Sequence, residues 1–272
     1  VWGVPIPVFY CDGCGEAIAA PETIAHVANL FREHGSNVWF DKTADELVPA
    51  GFQCPKCGKT HFSKENDIMD VWFDSGSTWA AVADQRDNLQ YPADVYLEGG
   101  DQYRGWFQSS MLTSIACRGV APYKQIITHG WTVDGEGKAM HKSLGNAMPP
   151  EEIIKDYGAD MLRLWVSSAD YTQDMRISKE IMKQLSQAYL KIRNTARYML
   201  GNLDGFDPDK AVAVKDMTDL DKWAVAAFNE LVKAVRAGYD AYEFHTVYRA
   251  IYNFCVVEMS NFYLDIIKDR LY

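Results

Sequence analysis

No stretch of this sequence stays apolar long enough to span a bilayer; charges break every hydrophobic run, so a membrane-spanning class is set aside. A secretory start is lacking too, since Val1-Trp2-Gly3-Val4-Pro5 offers neither a basic opening nor an apolar run. Cysteine is scarce, with six in 272 residues, and without a secretory signal a disulfide framework is disfavoured. Positive charge is in deficit: 27 Lys and Arg face 37 Asp and Glu, for a formal net charge of −10. That balance excludes a general polyphosphate sponge, whose affinity would come from Lys and Arg. Internal repeats and low-complexity tracts are absent. The chain does not begin with Met, and Asp265 to Tyr272 reads as a helix with no Gly or Pro stop, so a piece of a longer polypeptide is expected. What remains is ordinary globular composition, 48% hydrophobic and 24% charged, in a chain long enough for two or more substructures and expected to be cytoplasmic.

The cysteines that are present carry a pattern. Cys11-Asp12-Gly13-Cys14-Gly15 is answered, 39 residues on, by Cys54-Pro55-Lys56-Cys57-Gly58. Each Cys-x-x-Cys turn aims two thiolates at one point, and the glycine after it permits the tight bend. Cys11, Cys14, Cys54 and Cys57 are therefore read as a closed tetrahedral Zn2+ site with a structural role, against the rival of disulfides or free core thiols. Cys117 and Cys255 are expected to be ordinary buried cysteines. Between the turns, Pro21 to His34 has helical spacing with Gly35 as its stop, and Asn37 to Phe40 reads as a strand.

Asp70 to Trp79 reads as an aromatic strand ending at a Ser-Gly turn, either core or the wall of an apolar pocket. From Tyr91 onward the chain spells a β-α-β unit: strand Asp94 to Leu97, helix Asp101 to Cys117 capped by Gly119, strand Lys124 to Thr128. Ligands bind beyond the carboxyl ends of such strands. The rule selects Glu98, Gly99, Gly100, Asp101 and Gln102 after the first strand, and His129 and Gly130 after the second. Glu98 and Asp101 suit ribose hydroxyls, which need acceptors; Asp101 is equally well placed as a helix N-cap. His129 is either a general base or a packed strand-end histidine.

Asp134 to Asn146, DGEGKAMHKSLGN, follows. Gly135 and Gly137 allow a mobile loop, and Lys138, His141 and Lys142 put up to three positive charges within five residues. This is either a solvated surface loop or a cationic strap for a phosphate chain. Pro149 to Glu152 then opens a helix with Pro early and acids in its first turn, and Asp160 to Ser167 is hydrophobic nearly all round, hence interior. Beyond Asp170 the pattern changes to three long amphipathic helices, opened by Ser178, by Thr218 and near Glu243, which need one another to bury their stripes. Arg176 to Arg197 holds six cations against Glu180, either an RNA-facing surface or a solvated helix face.

Several of these segments, in this order, resemble the isoleucine-type class I aminoacyl-tRNA synthetases. They are Trp2-Gly3-Val4-Pro5-Ile6-Pro7, Asp70-Val71-Trp72-Phe73-Asp74-Ser75-Gly76, Tyr96 through Phe107, and Arg193-Asn194-Thr195 with Arg197-Tyr198. Met140-His141-Lys142-Ser143-Leu144-Gly145-Asn146 is similar to that family's KMSKS loop, with Ala139 and His141 standing where the consensus has Lys and Ser. The resemblance implies an α/β fold, the second half of a Rossmann-type nucleotide-binding core with a small zinc-binding insert, followed by an all-α helical bundle. Implied boundaries are 1–69 for core re-entry and the insert, 70–175 for the core with its loop, and 176–272 for an incomplete anticodon-binding bundle. Implied partners are ATP with Mg2+, L-isoleucine and tRNA(Ile), in a monomeric parent enzyme. Lys142 would contact ATP and stabilise the departing pyrophosphate. Glu98 and Gly99 would hold the adenylate, Asp101 and Gln102 the ribose, His129 and Gly130 the adenine, and Trp72 and Trp106 the isoleucine side chain. The family's HIGH motif does not occur, and Thr128-His129-Gly130-Trp131 is no substitute; the editing domain is absent as well. A fragment inactive by itself is therefore expected. The alternatives are a noncatalytic zinc-clipped RNA-binding or scaffold module, and a related nucleotidyl transferase.

Overall fold

The computed structural model describes residues 3–272, apart from the side chain of Lys142; Val1 and Trp2, the latter part of the first resembling segment, lie outside the described residues. Two compact units result, one ending at Ile127 and one running Thr128–Tyr272.

The first unit begins with a three-stranded antiparallel sheet, β2 (Ala17–Ile18), β1 (Phe9–Cys11) and β3 (Phe62–Lys64), in the order β2-β1-β3. Helices α1 (Pro21–His34), α2 (Val38–Asp41) and α3 (Ala44–Leu47) complete a small α+β body. Phe9, Trp39 and Leu47 are fully buried at its centre, and the Trp39 indole donates to the Glu65 carbonyl. Asn37 to Phe40 is thus helical rather than a strand. The reversal at Gly35 stacks successive amides onto Gly35, Ser36 and Asn37 carbonyls, and the strand that β1 needed comes from Phe62–Lys64.

A second correction concerns Asp70 to Trp79. Asp70 accepts from the Trp72 amide and caps helix α4 (Val71–Gly76), and a π-helical turn, Trp79–Ala83, follows. The Asp N-cap overrides the strand preference of the aromatics. Strands β4 (Ala93–Gly99) and β5 (Tyr123–His129) are hydrogen-bonded neighbours, tied at their first residues by the Ala93 amide and the Pro122 carbonyl. Between them, a 3-10 turn at Gly100–Arg104 precedes helix α5 (Trp106–Arg118), so the helix starts later than Asp101. It ends at Gly119, as its left-handed φ of 69° requires. Cys117 is exposed on α5, contrary to expectation, whereas Cys255 is buried.

In the second unit, β6 (Thr132–Val133) pairs in parallel with β7 (Met175–Arg176). Helices α6 (Pro150–Tyr157) and α7 (Ala159–Ser168) pack with them around Ile153, Met161, Trp165 and Met182. On α7 only Met161 and Trp165 are buried, and Val166 is 43% exposed, so this helix is amphipathic rather than interior. Helix α8 (Lys179–Gly201) is capped by the Ser178 hydroxyl and α9 (Asp219–Asp240) by that of Thr218, as the sequence predicts. Helix α10 (Phe244–Asn253) runs into ten residues of π-helix, Phe254–Tyr263, and then two short helical turns to Leu271. The buried Thr195 hydroxyl, on α8, lies 3.2 Å from the Cys255 carbonyl oxygen of this run and donates to it. Among the described residues, no helix is long and apolar enough to cross a membrane.

Candidate functional site

The four cysteines come together. Their Sγ atoms all lie within 4.8 Å of one another, with Cys11 to Cys57 at 3.5 Å and Cys14 to Cys54 at 3.7 Å. Two matching turns produce this. The Gly15 amide donates to the Cys11 carbonyl and the Gly58 amide to that of Cys54, with the glycines at φ of 69° and 71°. A tetrahedral Zn–S distance of about 2.3 Å sets sulfurs about 3.8 Å apart, which this cluster fits. Its electrostatics also favour a cation. Burial pushes the Cys54 thiol up, but the Cys57 and Lys56 amides and the sulfurs of Cys11 and Cys14 outweigh it and hold the value at about 7. At Cys14 the Glu16 amide pulls down, while burial and proton sharing with Cys57, Cys54 and Cys11 push the thiol up to about 12. Four such sulfurs are thiolates together only around a bound cation.

The end of β4 carries the next group. Glu98 is exposed, and its carboxylate accepts from the Gly99 amide at 3.0 Å. The 3-10 turn then presents exposed Asp101, with the Gln102 side-chain amide 3.4 Å from its carboxylate. The Gln102 carbonyl oxygen accepts from the Trp106 amide at 2.8 Å. Gln102, rather than Asp101, thus satisfies the start of α5.

Trp72 and Trp106 are brought together around Gly105. A Cβ at Gly105 would lie 3.2 Å from the Trp72 ring and 2.5 Å from the Gln102 oxygen, so only glycine lets the indole close down. Trp106 stacks on Tyr96 at 4.1 Å, and its indole N–H donates to the Ser75 carbonyl at 3.1 Å, tying α5 to α4. Trp72 remains 48% exposed beside Phe73 at 45%, an apolar wall open to one side. Gly105 escaped sequence reasoning; the small residue between Arg104 and Trp106 was its only signal.

In the second unit, Gly130 donates to the Tyr171 carbonyl, and the Gln173 backbone would lie 2.4 Å from a Cβ there. Close backbone packing therefore accounts for this glycine. The His129 Nδ1 lies 2.8 Å from the Gly130 carbonyl oxygen.

The Asp134 to Asn146 loop is less loose than its glycines imply. One Asp134 oxygen accepts the Glu136 and Lys138 amides, and the other accepts the Asn146 side-chain amide at 2.8 Å. Asn146 in turn accepts from the His141 amide and donates to the Ala139 carbonyl. These bonds, the Asn146 side chain's above all, hold the Asp134 carboxyl below its ordinary range. Lys138 pairs with Glu136 at 2.7 Å. Lys142 opens a short 3-10 turn, Lys142–Leu144, but its side chain lies outside the described residues. The Asp134–Asn146 clasp was missed in the sequence, where only its position at the two ends of the glycine-bearing stretch hints at it.

Comparison with known proteins gives the class of this chain. The family model for tRNA synthetases class I (I, L, M and V) matches residues 1–178, and the chain belongs to that family. The model for the anticodon-binding domain of tRNA ligase matches residues 221–272. Within the class, the similarity is to isoleucine–tRNA ligase: the chain is 58% identical over its whole length to that of Syntrophotalea carbinolica and 57% identical to that of Moorella thermoacetica. It spans 29% of the length of each. The fold is also that of the LeuRS-tRNA-LeuAMS ternary complex of Agrobacterium radiobacter, with a TM-score of 0.68, 20% identity, and coverage of 95% of this chain and 36% of that one. Methionyl-tRNA synthetase of Mycobacterium tuberculosis bound by methionyl-adenylate matches with a TM-score of 0.59, 18% identity, and coverage of 92% and 52%.

Proposed function

We propose that this chain is the second half of the catalytic core, with a zinc-clipped insert and the start of the tRNA-binding bundle, of an enzyme that activates L-isoleucine with ATP and transfers it to tRNA(Ile). The observation that carries the proposal is 58% identity to an isoleucine–tRNA ligase along the whole chain.

The chemistry needs no protein nucleophile. The isoleucine carboxylate attacks the α-phosphorus, the bond to the pyrophosphate oxygen breaks, and catalysis comes from positioning and charge stabilisation. Trp72 and Trp106 wall the isoleucine side chain. Glu98 and Gly99 hold the adenylate, and the exposed Asp101 carboxylate accepts from ribose hydroxyls. Gln102 has its carbonyl oxygen engaged by Trp106, so it offers the ribose its amide hydrogens. His129 and Gly130 line the adenine. Lys142, which matches the second lysine of the KMSKS loop, meets the β- and γ-phosphates, where Mg2+ accompanies ATP. Cys11, Cys14, Cys54 and Cys57 hold Zn2+ in a closed structural site with no position left for water. The cations of α8, among them Lys183, Lys191 and Arg193, face tRNA.

Alone, the chain does not adenylate, because the HIGH motif that completes the ATP site in the family is not in its sequence. The test is ATP–pyrophosphate exchange with isoleucine, valine and leucine, using the chain joined to the amino-terminal half of a relative. Exchange preferring isoleucine supports the proposal. Equal exchange with all three, or none in a folded zinc-loaded protein, removes it.

A further inference from the structure

The two tryptophans of the apolar wall stand on different elements, Trp72 on α4 and Trp106 at the start of α5, so the gap between them depends on how closely these helices approach. Their contact uses residues four apart on each side, which share a helix face. Trp72 rests on Gly105, where a Cβ would lie 3.2 Å from its ring. One turn on, Gly76 faces Ser109, and a Cβ there would lie 2.6 Å from the Ser109 hydroxyl oxygen and 2.8 Å from its backbone carbonyl carbon. A rotamer change would relieve the hydroxyl, but the Ser109 backbone moves only with its helix. Any side chain at position 76 therefore forces α4 and α5 apart.

Polar bonds hold the same joint. The Trp106 indole N–H donates to the Ser75 carbonyl at 3.1 Å, while its ring is backed by Tyr96 of β4 at 4.1 Å in a stack only 4° from parallel. Trp106 is thus fixed by the strand and does not follow α4 when the helices part. One turn beyond Ser109 on α5, the Thr113 hydroxyl lies 2.9 Å from the Gly76 carbonyl oxygen and accepts from the Trp79 indole N–H at 3.0 Å. Trp79 is buried and Trp72 is half exposed, so the joint is sealed at one end and finishes at the other in an open aromatic face.

We propose that Gly76 and Ser109 are positioning residues that set the width of the amino-acid pocket, and with it the preference for isoleucine over its γ-branched isomer leucine. This role rests on the assignment of Trp72 and Trp106 to the isoleucine side chain under the proposed function, and extends it from the walls to what spaces them. Leucine and isoleucine have the same atoms, so volume alone does not separate them. A fixed distance between flat walls does, because the leucine branch lies one carbon further out. Contact of this kind fades steeply with separation: a gap of roughly 0.5–1 Å forfeits a quarter to a half of the dispersion attraction. Gly76 and Ser109 act through the tryptophans rather than on the substrate, since close-packed helices transmit a displacement instead of absorbing it.

The test uses the joined protein in ATP–pyrophosphate exchange with isoleucine and leucine. Gly76→Ala is expected to lower the isoleucine-over-leucine ratio of kcat/KM roughly tenfold, as for a misplaced positioning group. The loss should come mainly from a higher KM for isoleucine, with the KM for ATP unchanged. Ser109→Gly in that background removes the side-chain atoms that the new methyl meets and is expected to restore part of the ratio, even though glycine inside α5 lowers stability. In the full chain by itself, solvent exchange of the Trp106 indole N–H, followed by NMR, is expected to quicken in Gly76→Ala as its bond to Ser75 stretches. If Gly76→Ala does not fold, Thr113→Val loosens the same joint without added bulk and is expected to lower the ratio a few-fold. An unchanged ratio in a folded Gly76→Ala or Thr113→Val protein, an equal rise in the KM for ATP, unaltered indole exchange, or no recovery with Ser109→Gly would overturn the inference. Trp72→Ala separates it from the assignment beneath it. A normal isoleucine KM in that variant removes the wall and the inference together, whereas a raised KM beside an indifferent Gly76→Ala removes the inference alone.

Discussion

The cysteine-bearing insert and the Asp134–Asn146 loop are both short and glycine-assisted, yet they are built in opposite ways. In the insert, two glycine turns point sulfurs inward, and Phe9, Trp39 and Leu47 are wholly buried behind them. In the loop, Leu144 is 67% exposed, and order comes from polar side chains holding the ends. The difference separates a part held by an apolar core behind its turns from a part held by polar side chains at the surface. It also says where substitutions act: on folding in the first case and on rate in the second.

The largest effect that would sharpen this contrast is loss of the metal proposed for the four cysteines. Structural zinc sites of this type contribute about 10 kcal/mol or more to folding, so Cys54→Ser or a strong chelator should abolish zinc binding by elemental analysis. The same treatment should remove amide-exchange protection from Phe9–Cys11 and α1. Full protection in a metal-free protein would mean that the apolar core suffices without the cysteines.

Next in size is Lys142→Ala in the joined enzyme. The adenylation rate should fall roughly 10²- to 10³-fold, as on removing one transition-state donor, with zinc content and melting temperature unchanged. A near-normal rate takes Lys142 out of the mechanism and with it the functional half of the comparison.

Asn146→Ala is expected to act more mildly. It opens the clasp without removing charge, and misplacement of a positioned group should slow exchange roughly tenfold. Rescue by Asn146→Asp is not expected, because a carboxylate facing Asp134 repels it.

Acid titration of the loop gives the smallest effect. The Asp134 carboxyl is held below its ordinary range, chiefly by the Asn146 side chain and then by the Lys138 amide. A group whose folded value is depressed adds stability that is complete above its unfolded value, about 4, and lost as pH falls through the folded one. Protection of the Glu136 and Lys138 amides should therefore be flat from neutral pH down to about 5 and decline only below about 4. A decline between pH 8 and 6 would assign the loop's order to another group.

Features that depend on neighbours in sequence were legible without the structure. The cysteine turns, the Ser178 and Thr218 caps, the Gly119 stop and the cores of β4 and β5 all follow from residues a few positions apart. Features set by distant partners were not. Val38 to Phe40 has strand-like residues but becomes helix because Phe62–Lys64 takes the place beside β1. Asp70 redirects its aromatic run into a helix through a single cap. The Asp134–Asn146 clasp joins residues twelve apart, and an apolar cavity in the second unit gathers side chains from Met199 to Tyr263; no local periodicity encodes either. Trp72 and Trp106 were selected by resemblance, but their approach around Gly105 is a tertiary fact.

The most direct test of the central claim is isoleucine-dependent ATP–pyrophosphate exchange, measured with the purified chain alone and with the chain joined to the amino-terminal half of a relative. The account predicts no exchange from the chain alone and isoleucine-preferring exchange from the joined protein. Exchange by the chain alone, or its absence from a folded, zinc-loaded joined protein, would contradict it.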